Sequence, residues 1–211
     1  MRNYSKELLD PTQVAICIID EQPQMFFGVE SASRLSVMNA VTGLAKTASI
    51  FQIPVILSTV EAQTFSGPLY NQVQLVFPKQ QPIDRTTLNA WEDKNFKTAV
   101  SATGKKKLLF AGLWTEVCVT LPTLCALSDG FEVYIVTDAS AGASKEAHQM
   151  SIVRMTQAGA KPVTWQAALL EMQRDWANKT TYQAVMQVIT EHGGAYGLGV
   201  EYANAMVPQS Q

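Results

Sequence analysis

Apolar runs punctuate the chain at VAICIID (14–20), PVILSTV (54–60), KLLFAG (107–112) and EVYIVTD (132–138), with a shorter PVTW at 162–165. Runs that are apolar at successive rather than alternate positions describe strands covered on both faces, as in a parallel sheet with helices above and below. Between them the period changes. Residues 33–51 place Leu35, Met38, Val41, Leu44, Ala45, Ala48 and Phe51 at helical spacing, and further helices are predicted at about 92–102, 116–129 and 144–158. The segment 61–91 is rich in Gln, Pro and Thr and too long for an ordinary connector. It is predicted to hold a functional loop and a short strand near Leu75-Val76-Phe77. Alternating strands and helices imply crossover connections. The expected fold is therefore α/β, a three-layer α/β/α sandwich around a central, mostly parallel six-stranded sheet of Rossmann-like type.

The pattern changes late in the chain. EMQRDWANKTTYQAVMQVIT reads as two amphipathic helical pieces, and GGAYGLGVEYANAMVPQSQ as a Gly-rich tail that is either frayed or packed on a neighbour. A domain over 1–177 with a helical or tail extension over 178–211, packed on the domain or on a neighbouring subunit, follows from that change.

Composition narrows the function classes. With 211 residues, 47% hydrophobic content and a net charge of -2, the chain can bury a large core as one domain. Its longest basic block is Lys105-Lys106-Lys107, so the positive footprint of a nucleic-acid binder is missing. No apolar run approaches the roughly 20 residues that span a bilayer, and MRNYSKELLDPTQ lacks the apolar region of a signal peptide, so a cytoplasmic protein with no membrane partner is expected. Cys17, Cys118 and Cys125 are odd in number and lack metal-ligand spacing, which speaks against a disulfide framework and a structural zinc site.

Ligands of open parallel sheets bind beyond the carboxyl ends of the strands, where strand order reverses. Asp20 ends the first run and Cys118 follows KLLFAG, so carboxylate and thiol share a crevice if those two strands are neighbours. No GxGxxG follows the first strand and no GxSxG is present. GKK at 104–106 precedes a strand and ends in Lys, unlike a phosphate loop. A cysteine at this place either fills the core, binds a metal or redox partner, or attacks a substrate. Near a helix start the positive end of the helix dipole is expected to lower its thiol below the ordinary value of about 8.5. Cys17 and Cys125 are expected in the core, and His148 and His192 in structural or solvent-facing positions. Thr115 is expected to cap the helix after it, with Glu116 favourable at the dipole.

The apolar strand ending in Asp20 with Gln22 two further on, the Asn89-Ala90-Trp91 motif after a basic residue, and AGLWTEVCV followed by VTDAS carry a resemblance. Over about residues 10–177 the chain resembles the isochorismatase-like cysteine hydrolases, and looks most similar to their YcaC-like branch, where an AGA before the last strand and a late RDW (Arg174-Asp175-Trp176) recur. The resemblance implies the isochorismatase-like hydrolase fold and a catalytic set of Asp20 as proton acceptor and donor, Cys118 as nucleophile and a cation at Arg85. The family pattern has Lys there. Arg brings permanent charge and a bidentate fork but cannot cycle a proton, so an electrostatic role is compatible with activity and a proton-carrying one is not. The resemblance also implies a cis peptide at Leu113-Trp114, an oxyanion hole from the amides of Trp114 and Cys118, and a small-molecule substrate contacted by Gln22, Phe26, Asn89, Trp91 and Trp114. TVEAQTFSGPL contains no His, so neither the metal of nicotinamidase relatives nor another cofactor is expected. A homo-oligomer is implied, of ring-like form and up to an octamer. The expected function is hydrolysis of a C-N bond in a small amide through a thioester on Cys118. A silent binding or assembly protein of the same fold, or a vinyl-ether hydrolase of isochorismate type, are the alternatives.

Overall fold

The structure, a computed structural model, describes residues 4–207. Six strands form the sheet: β1 (Val14–Ile19), β2 (Val55–Val60), β3 (Ile83–Arg85), β4 (Lys107–Leu113), β5 (Glu132–Ala141) and β6 (Lys161–Val163). Their order is β3-β2-β1-β4-β5-β6, and every pairing is parallel. β1 is the centre. Its residues divide by parity: Val14, Ile16 and Ile18 face one buried cluster and Ala15, Cys17 and Ile19 the other. That is the period-2 consequence of a strand covered on both faces.

The helices are α1 (Pro23–Phe27), α2 (Arg34–Ile50), α3 (Asn71–Val76), α4 (Lys94–Ala102), α5 (Thr120–Ser128), α6 (Lys145–Gln157), α7 (Trp165–Gln173), α8 (Lys179–His192) and α9 (Ala195–Met206). α2, α7 and α8 supply Leu44, Leu169 and Ile189 to the cluster on one face of the sheet. α4, α5 and α6 supply Phe96, Ala126 and Met155 to the other. Polar residues cap the helix starts: the side chains of Asp93, Ser144 and Thr164 accept the N–H groups of Phe96, Ala147 and Ala167 in the first turns of α4, α6 and α7. None of the nine helices among the described residues is long and apolar enough to cross a membrane.

One expectation fails here. Leu75-Val76-Phe77 is not a strand; the polar spacing of NQVQLV suits a short helix that buries only Val73, and the third strand is Ile83–Arg85. The Gly-rich tail is largely α9, because Gly197 lets the helix approach the carbonyl oxygens of Ile189 and Thr190, where a Cβ would clash. Residues 208–211 of that tail lie outside the described residues. α8 buries Val185, Val188 and Ile189 in the main core, so the chain after 177 begins by completing a layer.

The chain runs β1 to β2 to β3 on one side and returns to β4 on the other, so the order reverses between β1 and β4. Gly112 brings those two strand ends together. A Cβ there would press into the Ile19 carbonyl oxygen.

Candidate active site

Side chains from three chain segments meet beside the reversal point. Asp20 directly follows β1 in a left-handed conformation, with φ 56°, its N–H donating to the Ser58 carbonyl at 3.0 Å. Gln22 fastens this end to β2: its Nε2 donates to the carbonyls of Val60 and Gly67 at 3.2 and 2.6 Å, and its Oε1 accepts the Val60 N–H at 2.9 Å. Arg85 is the last residue of β3, in register with Val60. Its Nη2 donates to Asp20 Oδ2 at 2.6 Å, with both side chains fully buried, and its Nη1 donates to the Thr87 carbonyl.

Cys118 enters from β4. The strand turns at Trp114, which takes φ 56° and ψ 63°, and Thr115–Val119 form one π-type turn ahead of α5. π-turns are rare and often mark functional positions. The Trp114 carbonyl accepts the N–H groups of Val117 at 2.8 Å and Cys118 at 2.9 Å. Cys118 is 2% exposed. Its thiol interacts with both Asp20 and Arg85, although Asp20 Oδ1 has no partner in hydrogen-bonding geometry. The thiol thus lies beside the carboxylate without being aligned on its free oxygen.

Burial, and next the Asp20 charge, push the Cys118 thiol well above the ordinary value, against the smaller opposing pull of Arg85. This overturns the lowered thiol expected from the helix start. Desolvation and a neighbouring carboxylate outweigh one helix end, and the residues following Cys118 begin α5 only after an irregular turn. Burial also raises Asp20, with Arg85 opposing it. Glu21, which sequence reasoning missed, is wholly buried and lies beside Asp20; burial and then the Asp20 charge hold it well above the carboxylate range, and neither side-chain oxygen has a partner.

The other expected residues divide. Trp114 lines a cavity of about 250 Å³ that includes Cys118, with Met25, Phe65, Leu88 and Val117 as further apolar walls. A larger groove of about 570 Å³ lies elsewhere, between His148, His192 and Asp138, away from this chemistry. Phe26 stacks obliquely on Tyr70. Asn89 accepts the Trp91 N–H and donates to Glu92 and to Cys125 Sγ. Trp91 packs edge-on against Phe131 and donates Nε1 to Asp129. Neither Phe26, Asn89, Trp91 nor Gln22 belongs to the cavity wall, because each side chain is packed or bonded within the fold. The Leu113-Trp114 peptide is trans, as is every described peptide bond. Of the expected oxyanion pair, the Cys118 N–H is already bonded to Trp114. Thr115 is no cap: its hydroxyl meets His148 Nδ1 at 2.8 Å, and Glu116 accepts the Ala143 N–H at 2.9 Å.

Residues 14–167 match the isochorismatase domain family. The chain belongs to the isochorismatase family. Within it, the probable hydrolase YcaC of Escherichia coli K12 is 39% identical over 133 residues, 63% of this chain and 64% of that protein, so the match spans just under two thirds of that relative's length. A structure of YcaC from Pseudomonas aeruginosa, with hexane-2,5-diol and covalent acrylamide, superposes with a TM-score of 0.91 at 35% identity, covering 97% of this chain and 100% of that one. The Escherichia coli YcaC structure, described as an octameric hydrolase of unknown specificity, gives 0.90 at 34% identity over 98% and 100%. The isochorismatase fold accounts for the sheet order, whose reversal between β1 and β4 is where open parallel sheets bind ligands.

Proposed function

We propose that the protein is a cysteine hydrolase acting on the C-N bond of a small amide, with Asp20, Arg85 and Cys118 as its catalytic residues. The observation that carries this reading is the fully buried Asp20–Arg85 pair at 2.6 Å beside the Cys118 thiol, at the sheet's reversal point. As Sγ attacks the amide carbonyl, the S–H proton passes to Asp20, and collapse of the tetrahedral adduct returns it to the departing amine. Water then adds to the thioester with Asp20 as base, and the thiolate leaves as the acid forms. The raised proton affinities of thiol and carboxylate suit direct exchange between them. Arg85 supplies charge alone, keeping Asp20 ionised before attack. The Trp114 amide is the oxyanion donor within this reading; the Cys118 amide joins it only if the π-type turn opens. The covalent acrylamide in the Pseudomonas relative supports a reactive nucleophile in this branch. Hydrolysis of an amide panel tests the reading: turnover lost in Cys118→Ala with the fold intact is expected, and unchanged turnover contradicts it.

The silent-protein reading is favoured by the burial of Cys118, which is 2% exposed, and by the upward push that burial gives its thiol. In either case a homo-oligomer is proposed, by likeness to the octameric relative. Leu198, Tyr202 and Met206 recur every fourth residue along α9 and are 68%, 66% and 62% exposed, which supports α9 as a subunit contact.

A further inference from the structure

The cavity over Cys118 has a charge pattern that the three catalytic residues do not explain. Its apolar walls are joined by the uncharged Ser66 and Thr86, and among the described lining residues Glu61 alone, the thiol aside, has an ionisable side chain. Glu61 is built into the rim. Its φ is 49°, its N–H donates to the Arg85 carbonyl at 2.9 Å, and its own carbonyl accepts the N–H groups of Thr64, Phe65 and Ser66, while the Thr64 hydroxyl donates to Oε2. The cation of the site is not on this wall: Arg85 is absent from the cavity lining, and its two Nη groups serve Asp20 and the Thr87 carbonyl. An anionic acyl group would therefore give up its water, find no cation among the described lining residues and meet a carboxylate. A neutral apolar group meets Met25, Leu88 and Val117, and an indole held in place by its Nε1–H bond to the Met25 carbonyl at 3.2 Å. The 250 Å³ cavity corresponds to about eight times the roughly 30 Å³ share of one water in the liquid.

We propose that the cavity admits small uncharged carboxamides with an apolar acyl chain, of up to about eight heavy atoms, and that Glu61 is the specificity-determining residue that rejects carboxylates. The substrate class rests on the hydrolytic reading of Cys118. The exclusion of anions does not, and the two fail separately.

Iodoacetamide and iodoacetate share a leaving group and differ in charge, so their alkylation of Cys118, resolved by peptide mass spectrometry and normalised to glutathione, reads the cavity without hydrolysis. The native protein is expected to favour iodoacetamide at Cys118 by about 30-fold or more, and Glu61→Gln to cut that ratio by about tenfold because iodoacetate gains. Equal normalised rates overturn the proposal, and so does a Cys118 that neither reagent reaches while Cys125 is alkylated. In turnover, pentanamide is expected to exceed succinamate in kcat/KM by about tenfold or more. Charge-selective labelling without turnover of either amide removes the hydrolytic reading and leaves the exclusion of anions standing. Cys118-dependent turnover of both at equal kcat/KM removes the exclusion and leaves hydrolysis standing.

Discussion

Cys17 and Cys118 are both buried thiols on or beside adjoining central strands, and burial pushes both above the ordinary value. At Cys17 burial is the whole cause. At Cys118 a carboxylate adds to it and a guanidinium opposes it. Burial by itself therefore makes an inert thiol, and chemistry requires a neighbour that can take the proton. Cys17 has only the sheet and the apolar cluster around it, whereas Cys118 stands where three strand ends bring polar side chains out of the sheet plane.

The sharpest break in that comparison comes from removing each sulfur in turn. Cys118→Ala is expected to lower amide turnover by about a thousandfold or more, while Cys17→Ala keeps turnover and costs about 1 kcal/mol of stability, the scale for one buried heavy atom; steady-state rates and urea melts report both. Next in size, Asp20→Asn should cut turnover by about a hundredfold or more. It also leaves Arg85 buried without its counter-charge, at a cost of about 3 kcal/mol in a denaturant titration. Arg85→Lys is milder: a charge at that place still opposes protonation of Asp20, so activity should fall by about tenfold or less, whereas Arg85→Gln should resemble Asp20→Asn.

Glu21 provides a smaller, pH-resolved effect. Its raised folded value means that its contribution to stability is complete below the unfolded carboxyl value of about 4.3 and is lost as pH rises through the folded value. Melting temperatures of Glu21→Gln measured from pH 4 to 9 should fall less with pH than those of the native protein. The smallest effect on the single chain is Tyr202→Glu, whose side chain is 66% exposed: chain stability should move by less than about 0.5 kcal/mol, while light scattering should show a smaller assembly.

The strands were legible where burial on both faces left an unbroken apolar run, as in β1 and β4, and so was the placement of Asp20 and Cys118 at their ends. Legibility failed where a tertiary contact decided the outcome. β3 has only three residues, Ile83–Arg85, too few for a period to show. α9 contains glycines that argue against a helix locally, yet Gly197 is what allows its close packing. Asn89 and Trp91 looked like site residues because of their motif, and they instead cap and brace the loop after β3. Glu21 follows Asp20 with no motif to mark it, and its burial follows from the close meeting of the segments around β1. The sign at Cys118 was missed for the same reason: the helix-start argument is local, whereas the Asp20 carboxylate is 98 positions away in sequence and adjoins it only in the fold.

Because Asp20 raises the Cys118 thiol, removing its charge should make the sulfur more reactive while making the protein less active, a pairing that a purely structural carboxylate does not produce. The rate of Cys118 alkylation by iodoacetamide from pH 6 to 10, in native protein and in Asp20→Asn at a denaturant-free temperature where both are folded, measures this directly, with Cys125 as internal control. Coupling of thiol and carboxylate predicts faster labelling and a lower apparent pKa at Cys118 in Asp20→Asn, with Cys125 unmoved. Identical Cys118 profiles in the two proteins would contradict it.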